Sequence, residues 1–357
     1  MRAALQMASR GLGRTWPNPA VGCVLVKDGQ VVGRGFTQPG GRPHAEVDAL
    51  ARAGQAAQGA TAYVTLEPCS HWGRTPPCCD ALIRAGVSRV VVAMRDPDKR
   101  VDGRGFQRLR DAGIVVEEGL LEAEARAFQE GFLRRVTRGL PLVTLKLAGT
   151  LDGRIATARG ESRWITGPAA RREVHAARAR HDVMLVGSGT VLADDPELTI
   201  RDLGLPSIPR VVFDARLRTP LGARLVRTAR ETPTWIVTRT GHRPDALTPF
   251  LEAGVEIIQS PARPGRGLEP RAALGALAQR GVTRVFCEGG ASLAGALLGA
   301  GLVQRVMWFQ APGIMGGDGL PAVSGFGVEA LAAMPRYRRA STRVLGPDVL
   351  SEFEEMP

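Results

Sequence analysis

Apolar residues fall along this chain in short runs separated by stretches of helical spacing, and the two kinds alternate. AVGCVLV at 20–26 and QVVGRGF at 30–36 read as strands flanking Lys27-Asp28-Gly29, whose Asp-Gly pair supplies the positive φ angles of a tight hairpin turn. A helix is predicted from about Ala45 to Ala53, a strand in TAYVTL at 61–66, and a helix after Pro76-Pro77. A strand in VSRVVVAM at 87–94 and a helix from Leu121 to about Arg138 complete this half. Strands separated by helices imply a layered α/β sheet with covered faces.

RGLPLVTLKLAGTLDGR at 138–154 opens a second series. Gly139 and Pro141 punctuate the preceding helix, which places a boundary here and predicts domains at 1–139 and 140–357. Further strands are expected in HDVMLVGSG at 181–189, PRVVFDA at 209–215, TWIVT at 234–238 and VTRVFCEGG at 282–290, with helices between them. The longest apolar run, LAGALLGAGLV at 293–303, is too short to cross a bilayer and reads as a buried helix. No repeat relates the halves, so two different α/β domains are expected.

Composition agrees with a two-domain globular protein: 357 residues, 44% hydrophobic and 23% charged. The net charge of +12 invites a nucleic-acid reading, but the basic residues are spread along the chain and only Lys27, Lys99 and Lys146 are lysines. That pattern fits a solvated basic surface serving small anionic ligands. The opening MRAALQMASRGLGRTW has no apolar stretch leading to a cleavage site, and five cysteines do not make a disulfide framework. A reducing cytoplasm, with no membrane partner, is the expected setting.

His44 and Glu46 stand one residue apart, and Cys69 and Cys78 each follow a proline. One imidazole and two thiols suit zinc, and three protein ligands leave a fourth position for water, whose pKa zinc lowers to about 7. Glu46 would then move the proton. Residues i and i+2 do not share a helix face, so the pair converges only if the helix begins here, with Pro43 near its first turn, just as Pro76-Pro77 would place Cys78 at the next helix start. Two alternatives stay open: a Cys69–Cys78 disulfide, and a closed structural zinc site with His71 or Cys79 as fourth ligand. The order His-x-Glu, Pro-Cys, Cys is that of zinc-dependent nucleobase deaminases, with eight residues, SHWGRTPP, between the cysteines here.

PNPAVGCVLV, PHAEVDAL, TLEPCSHWGRTPPCCDALI, LKLAGTLDGR, ESRWITG, VGSGTVLADDPELTIR and CEGGASLAGALL together resemble the RibD family of bifunctional riboflavin biosynthesis deaminase–reductases over nearly the whole chain. The resemblance implies a cytidine-deaminase-like three-layer α/β/α domain followed by a dihydrofolate-reductase-like α/β domain. It implies zinc, one per chain, on His44, Cys69 and Cys78, with Glu46 as proton shuttle and Asn18, His71 and Arg74 at the substrate, a phosphorylated diaminopyrimidinone. A planar guanidinium such as that of Arg74 grips a phosphate in two places. Asp48 and Trp72 stand where relatives commonly carry other residues, His at 48 and His or Tyr at 72, and this bears on pocket contacts. Cys23 and Cys79 are expected to be small buried apolar residues.

Without the family, the second half signals less. VTRVFCEGGASLAGALL reads strand, glycine turn, helix: either a phosphate cradle at a helix N-terminus or a tight packing turn. GSGTVLADDP reads as a second glycine-rich turn, and Asp194-Asp195 before proline as a turn or cap rather than a metal site. The resemblance adds NADPH, lined by Ala148, Trp164, Thr190, Asp194, Gly290, Ala291, Ser292, Leu293, Ala294, Gly295 and Ala296. It adds Ser162, Arg178, Leu198, Arg201 and Glu288 at the reductase substrate. Ala215 replaces a serine that relatives offer to the cofactor, one neutral hydrogen bond worth about 1 kcal/mol. Lys146 reads either as another polar contact or as a strand-edge charge. The resemblance also implies a homo-oligomer. Two other classes compete: an RNA-editing deaminase with a basic nucleic-acid-binding second half, which 5% aromatics leave with few stacking platforms, and a zinc-stapled binding module without catalysis.

Overall fold

Two close-approach glycines set the layers of the first sheet. The computed structural model describes residues 1–263 and 267–356 and divides into two units, Met1–Gly139 and Leu140–Pro357. In the first, β1 (Gly22–Lys27), β2 (Gln30–Phe36), β3 (Thr61–Val64), β4 (Arg89–Val92) and β5 (Val115–Glu118) lie in the order β2-β1-β3-β4-β5. β1 runs antiparallel to β2 and β3, while β3, β4 and β5 are parallel. Asp28 and Gly29, at φ 50° and 76°, close the β1–β2 hairpin, with Lys27 paired to Gln30.

Around this sheet lie α1 (Arg2–Ser9), α2 (Ala45–Ala53), α3 (Cys78–Arg84), α4 (Arg104–Asp111) and α5 (Glu122–Arg138). Gly22 pairs with Phe36 and Cys23 with Gly35, so Gly22 and Gly35 face opposite sides of the sheet. A Cβ on Gly22 would sit 1.9 Å from the Ala4 carbonyl oxygen of α1, and one on Gly35 would sit 2.2 Å from the Ala45 oxygen of α2. The two helices therefore cover opposite faces, which makes three layers. Gly22→Ala should push α1 off the sheet, costing about 3 kcal/mol; a urea titration that leaves the unfolding midpoint of this unit unmoved would contradict that packing.

The second unit holds a nine-stranded sheet. In spatial order its strands are Glu256–Ser260, Thr234–Arg239, Arg210–Phe213, Val183–Gly187, Arg284–Cys287, Leu142–Gly149, Arg305–Gln310, Asp348–Glu355 and Tyr337–Leu345. The first seven are parallel, and Asp348–Glu355 runs antiparallel to both of its neighbours. Parallel strands need covered faces, and the helices between them, among them Pro168–Arg178, Pro270–Gln279 and Ala291–Gly299, supply the cover.

Three sequence expectations change here. GSGTVLADDP is not a turn: Gly187 ends a strand in extended conformation and a helix runs directly from Ser188 to Asp194. The turn comes after it, at Asp195, whose φ is 39° and whose carboxylate accepts the Arg224 amide. The apolar run at 293–303 is helical only to Gly299, because Gly301 turns the chain at φ 63°. Lys146 lies on a central strand, flanked by Arg284–Cys287 and Arg305–Gln310, so it is no strand-edge charge.

Candidate functional sites

His44 reaches the zinc-type cluster from outside helix α2 rather than from one of its faces. It is the N-cap residue, extended at φ −69° and ψ 161° after Pro43, and Glu46 follows in the first turn. That resolves the spacing of the pair, since a capping residue points across the helix mouth. Pro77 likewise caps α3, and Cys78 is its first residue. The Nδ1 of His44 lies 3.3 Å from Cys78 Sγ and 3.7 Å from Cys69 Sγ. Tetrahedral zinc, with ordinary Zn–S and Zn–N bonds, needs N···S separations of about 3.6 Å. The donor atoms of His44, Cys69 and Cys78 all lie within 4.8 Å of one another, and the set fits zinc.

The electrostatics suit the same chemistry. The Cys78 thiol and amide both donate toward Cys69 Sγ, the amide at 3.3 Å, and hold the Cys69 thiol down at about 4, so it stands as a thiolate. Glu46 is 3% exposed. Burial lifts its carboxyl to about 7, against the pull of His44; a group poised there can take and return a proton near neutrality.

The neighbours of the cluster can be placed one by one. Cys79 is buried, and its thiol donates to the carbonyls of Pro68 and Gly105, so it turns away as a fourth ligand. Cys69 and Cys78 are not joined in a disulfide. Among the described residues the metal-type group comprises His44, Cys69 and Cys78, without His71. Asn18 donates its amide to the Gly41 carbonyl at 2.9 Å, and Gly41, at φ 82°, has room for nothing larger because a Cβ there would strike Asn18. That contact brings Asn18 to the strand-to-helix turn that presents His44. His71 is half-buried, and Arg74 and Trp72 are exposed in the inter-cysteine loop, Trp72 by 72%. Asp48 accepts from the Phe36 amide, Gln38 and Arg52, so it fastens α2 to the end of β2.

Sequence reasoning missed three acids. Glu67 is buried and accepts the amides of Asp96, Gly103 and Gly105, anchoring the loop after β4. In that loop burial raises Asp96 to about 7, and Asp98 lies within electrostatic reach of His71. The sequence signal of Asp96 and Asp98 is the acidic pair in RDPD.

The second unit assembles a cluster of charge. Arg178 and Glu288 form a two-bond ion pair at 2.6 and 3.1 Å, with side chains 11% and 9% exposed. Arg178 also donates to the Thr199 carbonyl, next to Leu198, which is buried at φ 50°. Burial pushes Glu288 up, but Arg178 and Lys146 outweigh it and hold the carboxyl below the usual range. Burial lowers Lys146, with Glu288 opposing. His175, one turn before Arg178, accepts the Arg201 amide at 3.2 Å and is kept neutral by burial and by both arginines; the i, i+3 spacing of His175 and Arg178 was its sequence signal.

Beside this cluster is the glycine turn. Gly290 caps the helix Ala291–Gly299 in extended conformation, and its amide donates to the Thr190 hydroxyl at 3.1 Å. A Cβ on Gly289 would meet Leu293 at 2.6 Å, so the turn packs tightly as well as presenting a helix N-terminus. Arg163 donates to the Asp194 carbonyl, which ties the segment carrying Trp164 to the C-terminal end of the helix Ser188–Asp194, and Trp164, 68% exposed, lies under the guanidinium of Arg171. Ala148 shares the strand face of Lys146. Ser162 is half-buried two residues before Trp164, and Ala215 enters through its carbonyl, 3.1 Å from His242.

A sheet with a His-Cys-Cys metal cluster and a buried carboxyl, followed by a second α/β unit with a glycine-capped helix, defines a zinc deaminase joined to a reductase. The comparisons carry both halves: the cytidine and deoxycytidylate deaminase zinc-binding region matches residues 1–94, and the RibD C-terminal domain matches residues 141–351. The riboflavin biosynthesis protein RibD of Escherichia coli strain K12 is 46% identical, over 98% of this chain and 96% of that protein. A solved Acinetobacter baumannii RibD is 40% identical with a TM-score of 0.88, covering 100% of this chain and 98% of that one. A Thermotoga maritima structure, a diaminohydroxyphosphoribosylaminopyrimidine deaminase/5-amino-6-(5-phosphoribosylamino)uracil reductase, is 35% identical with a TM-score of 0.86, covering 100% and 97%. The chain belongs to the RibD family of riboflavin biosynthesis enzymes. The half that an RNA-editing deaminase would need for nucleic acid matches a reductase domain instead.

Proposed function

We propose that this chain deaminates 2,5-diamino-6-ribosylamino-4(3H)-pyrimidinone 5′-phosphate in its first domain, residues 1–139. The second, residues 140–357, then reduces the ribosyl chain with NADPH to give 5-amino-6-(5-phosphoribitylamino)uracil. The observation that carries this reading is the His44, Cys69 and Cys78 donor set with buried Glu46 beside it, in a chain alike over its full length to RibD enzymes. His44, Cys69 and Cys78 hold the metal. Zinc, when bound, supplies the Lewis acidity that activates water at neutral pH. Glu46 takes the water's proton and passes it to the amine that leaves as ammonia. Asn18 and His71 orient the ring, and Arg74 grips the phosphate.

In the second domain Ala148, Trp164, Thr190, Asp194 and the segment 290–296 line the cofactor. NADPH, when bound, supplies the hydride. Arg178 and Glu288 brace each other at the substrate, with Ser162, Leu198 and Arg201 completing that wall and Lys146 holding a proton within reach. A cytoplasmic setting follows from the reducing chemistry of free thiol ligands, and among the described residues no helix is long and apolar enough to cross a membrane. On the sheet face opposite Lys146, an apolar hollow of about 540 Å³ lined by Leu145, Leu147, Val306, Trp308 and Phe353 supports self-association.

The test is to give the purified enzyme the diaminopyrimidinone ribosylamino phosphate and follow ammonia and NADPH together. Ammonia should appear first, NADPH loss should follow, and chelator pretreatment should stop both. Zinc-loaded enzyme that yields neither signal would refute the assignment.

A further inference from the structure

The two ring nitrogens of His44 have different neighbours. Nδ1 faces the two sulfurs, so its lone pair is the one directed at a metal. A neutral imidazole carries one hydrogen, which then sits on Nε2. Nε2 lies 3.3 Å from Nη1 of Arg42, and a guanidinium has donors only. With Nδ1 committed to zinc, two N–H donors face each other and neither finds an acceptor in the other. Metal-binding histidines ordinarily donate this second N–H to a carboxylate, a carbonyl or water; here a cation occupies that place.

Arg42 is also tied to the inter-cysteine loop. Its Nη1 donates to the Thr75 hydroxyl, and a Cβ on Gly73 would touch its Nη2 at 3.4 Å, so the guanidinium lies against Gly73 and the Thr75 side chain, the residues on either side of Arg74. Among the described residues, the Arg42 guanidinium approaches His44 and Thr75 within hydrogen-bonding distance. An oxygen acceptor placed at this corner would serve Arg42 and the His44 N–H together.

We propose that Arg42, His44 Nε2–H and Thr75 form an anion subsite of the deaminase pocket, filled by a phosphate oxygen that accepts hydrogen bonds jointly from Arg42 and the zinc-bound histidine. The inference rests on the deaminase reading and deepens it: occupancy of the subsite and zinc binding reinforce each other, and by linkage each raises the affinity of the other.

Zinc affinity can be measured by competition with a chromogenic chelator in full-length wild type, Arg42→Ala and Arg42→Glu, without anion, with inorganic phosphate and with ribose 5-phosphate. Phosphate should tighten zinc about tenfold in wild type and leave Arg42→Ala unmoved; its own weak zinc complexation acts on both alike. In Arg42→Glu a carboxylate accepts the His44 N–H directly, so zinc should bind about 10- to 100-fold more tightly than in Arg42→Ala, with no phosphate effect. Ribose 5-phosphate acting at lower concentration than phosphate assigns the subsite to the substrate's phosphate monoester; equal potency assigns it to free phosphate. A wild type insensitive to both anions, an Arg42→Ala that keeps the effect, or an Arg42→Glu no tighter than Arg42→Ala overturns the subsite. Wild type that takes up no zinc overturns the metal reading itself, and the subsite with it.

Discussion

A Glu46→Gln enzyme is expected to keep one zinc per chain and to lose deamination by about 10²–10⁴-fold, the usual contribution of a positioned general acid–base group. The substitution is isosteric, and the side chain it alters is buried beside Cys78 without belonging to the donor cluster. A carboxamide fills the same space and keeps an acceptor oxygen, but it cannot take a proton from water or return one to the departing amine. NADPH oxidation on pre-deaminated substrate should continue at the wild-type rate, because the reductase cluster draws on Arg178, Glu288 and Lys146. Metal analysis and both assays on one preparation decide the matter. Zinc lost with the carboxylate would make Glu46 a ligand, and a loss of only a few-fold would place the proton shuttle on another group.

The metal cluster was legible in the sequence because two of its three donors, His44 and Cys78, come from helix starts that proline marks locally. Pro43 and Pro77 fix the entries to α2 and α3, so His44, Glu46 and Cys78 are placed within a residue by the chain itself. The reductase cluster is another matter. Lys146, Arg178 and Glu288 come from a strand, a helix and a strand end, and no spacing rule joins them; only the resemblance singled out Arg178 and Glu288. Local patterns failed where polar residues dominate. Helix α4 has Phe106 and Leu109 as its large apolar residues amid three arginines, an i, i+3 face too narrow to stand out in the sequence, and the strand Tyr337–Leu345 is exposed over most of its length at a sheet edge, so it shows no two-residue alternation. The helix Ser188–Asp194 was hidden by its opening glycines, which read as a turn until the strand before it fixed the direction of the chain. The place of Arg42 depends on which nitrogen of His44 faces the sulfurs, a fact of geometry that a sequence does not hold.

Arg178→Ala should lower the stability of the reductase unit by about 3–5 kcal/mol, the cost of leaving one partner of a buried pair without the other. The two bonds of 2.6 and 3.1 Å are made by side chains 11% and 9% exposed, so solvent screens them little, and Glu288 would be left with Lys146 as its remaining positive neighbour. Reductase kcat/KM should fall by about 10²-fold, on the scale of a lost hydrogen bond to a charged group, while ammonia release stays unchanged. Stability and function can be separated by the apolar double replacement Arg178→Met with Glu288→Leu. A buried ion pair exchanged for packed hydrophobic groups is often neutral or stabilising, so the double variant should recover most of the urea midpoint and none of the reductase activity. Recovery of both would make the pair a structural brace remote from substrate. Recovery of neither would mean that the pair's geometry, rather than its charge, holds the loop at Leu198 and Thr199 in place.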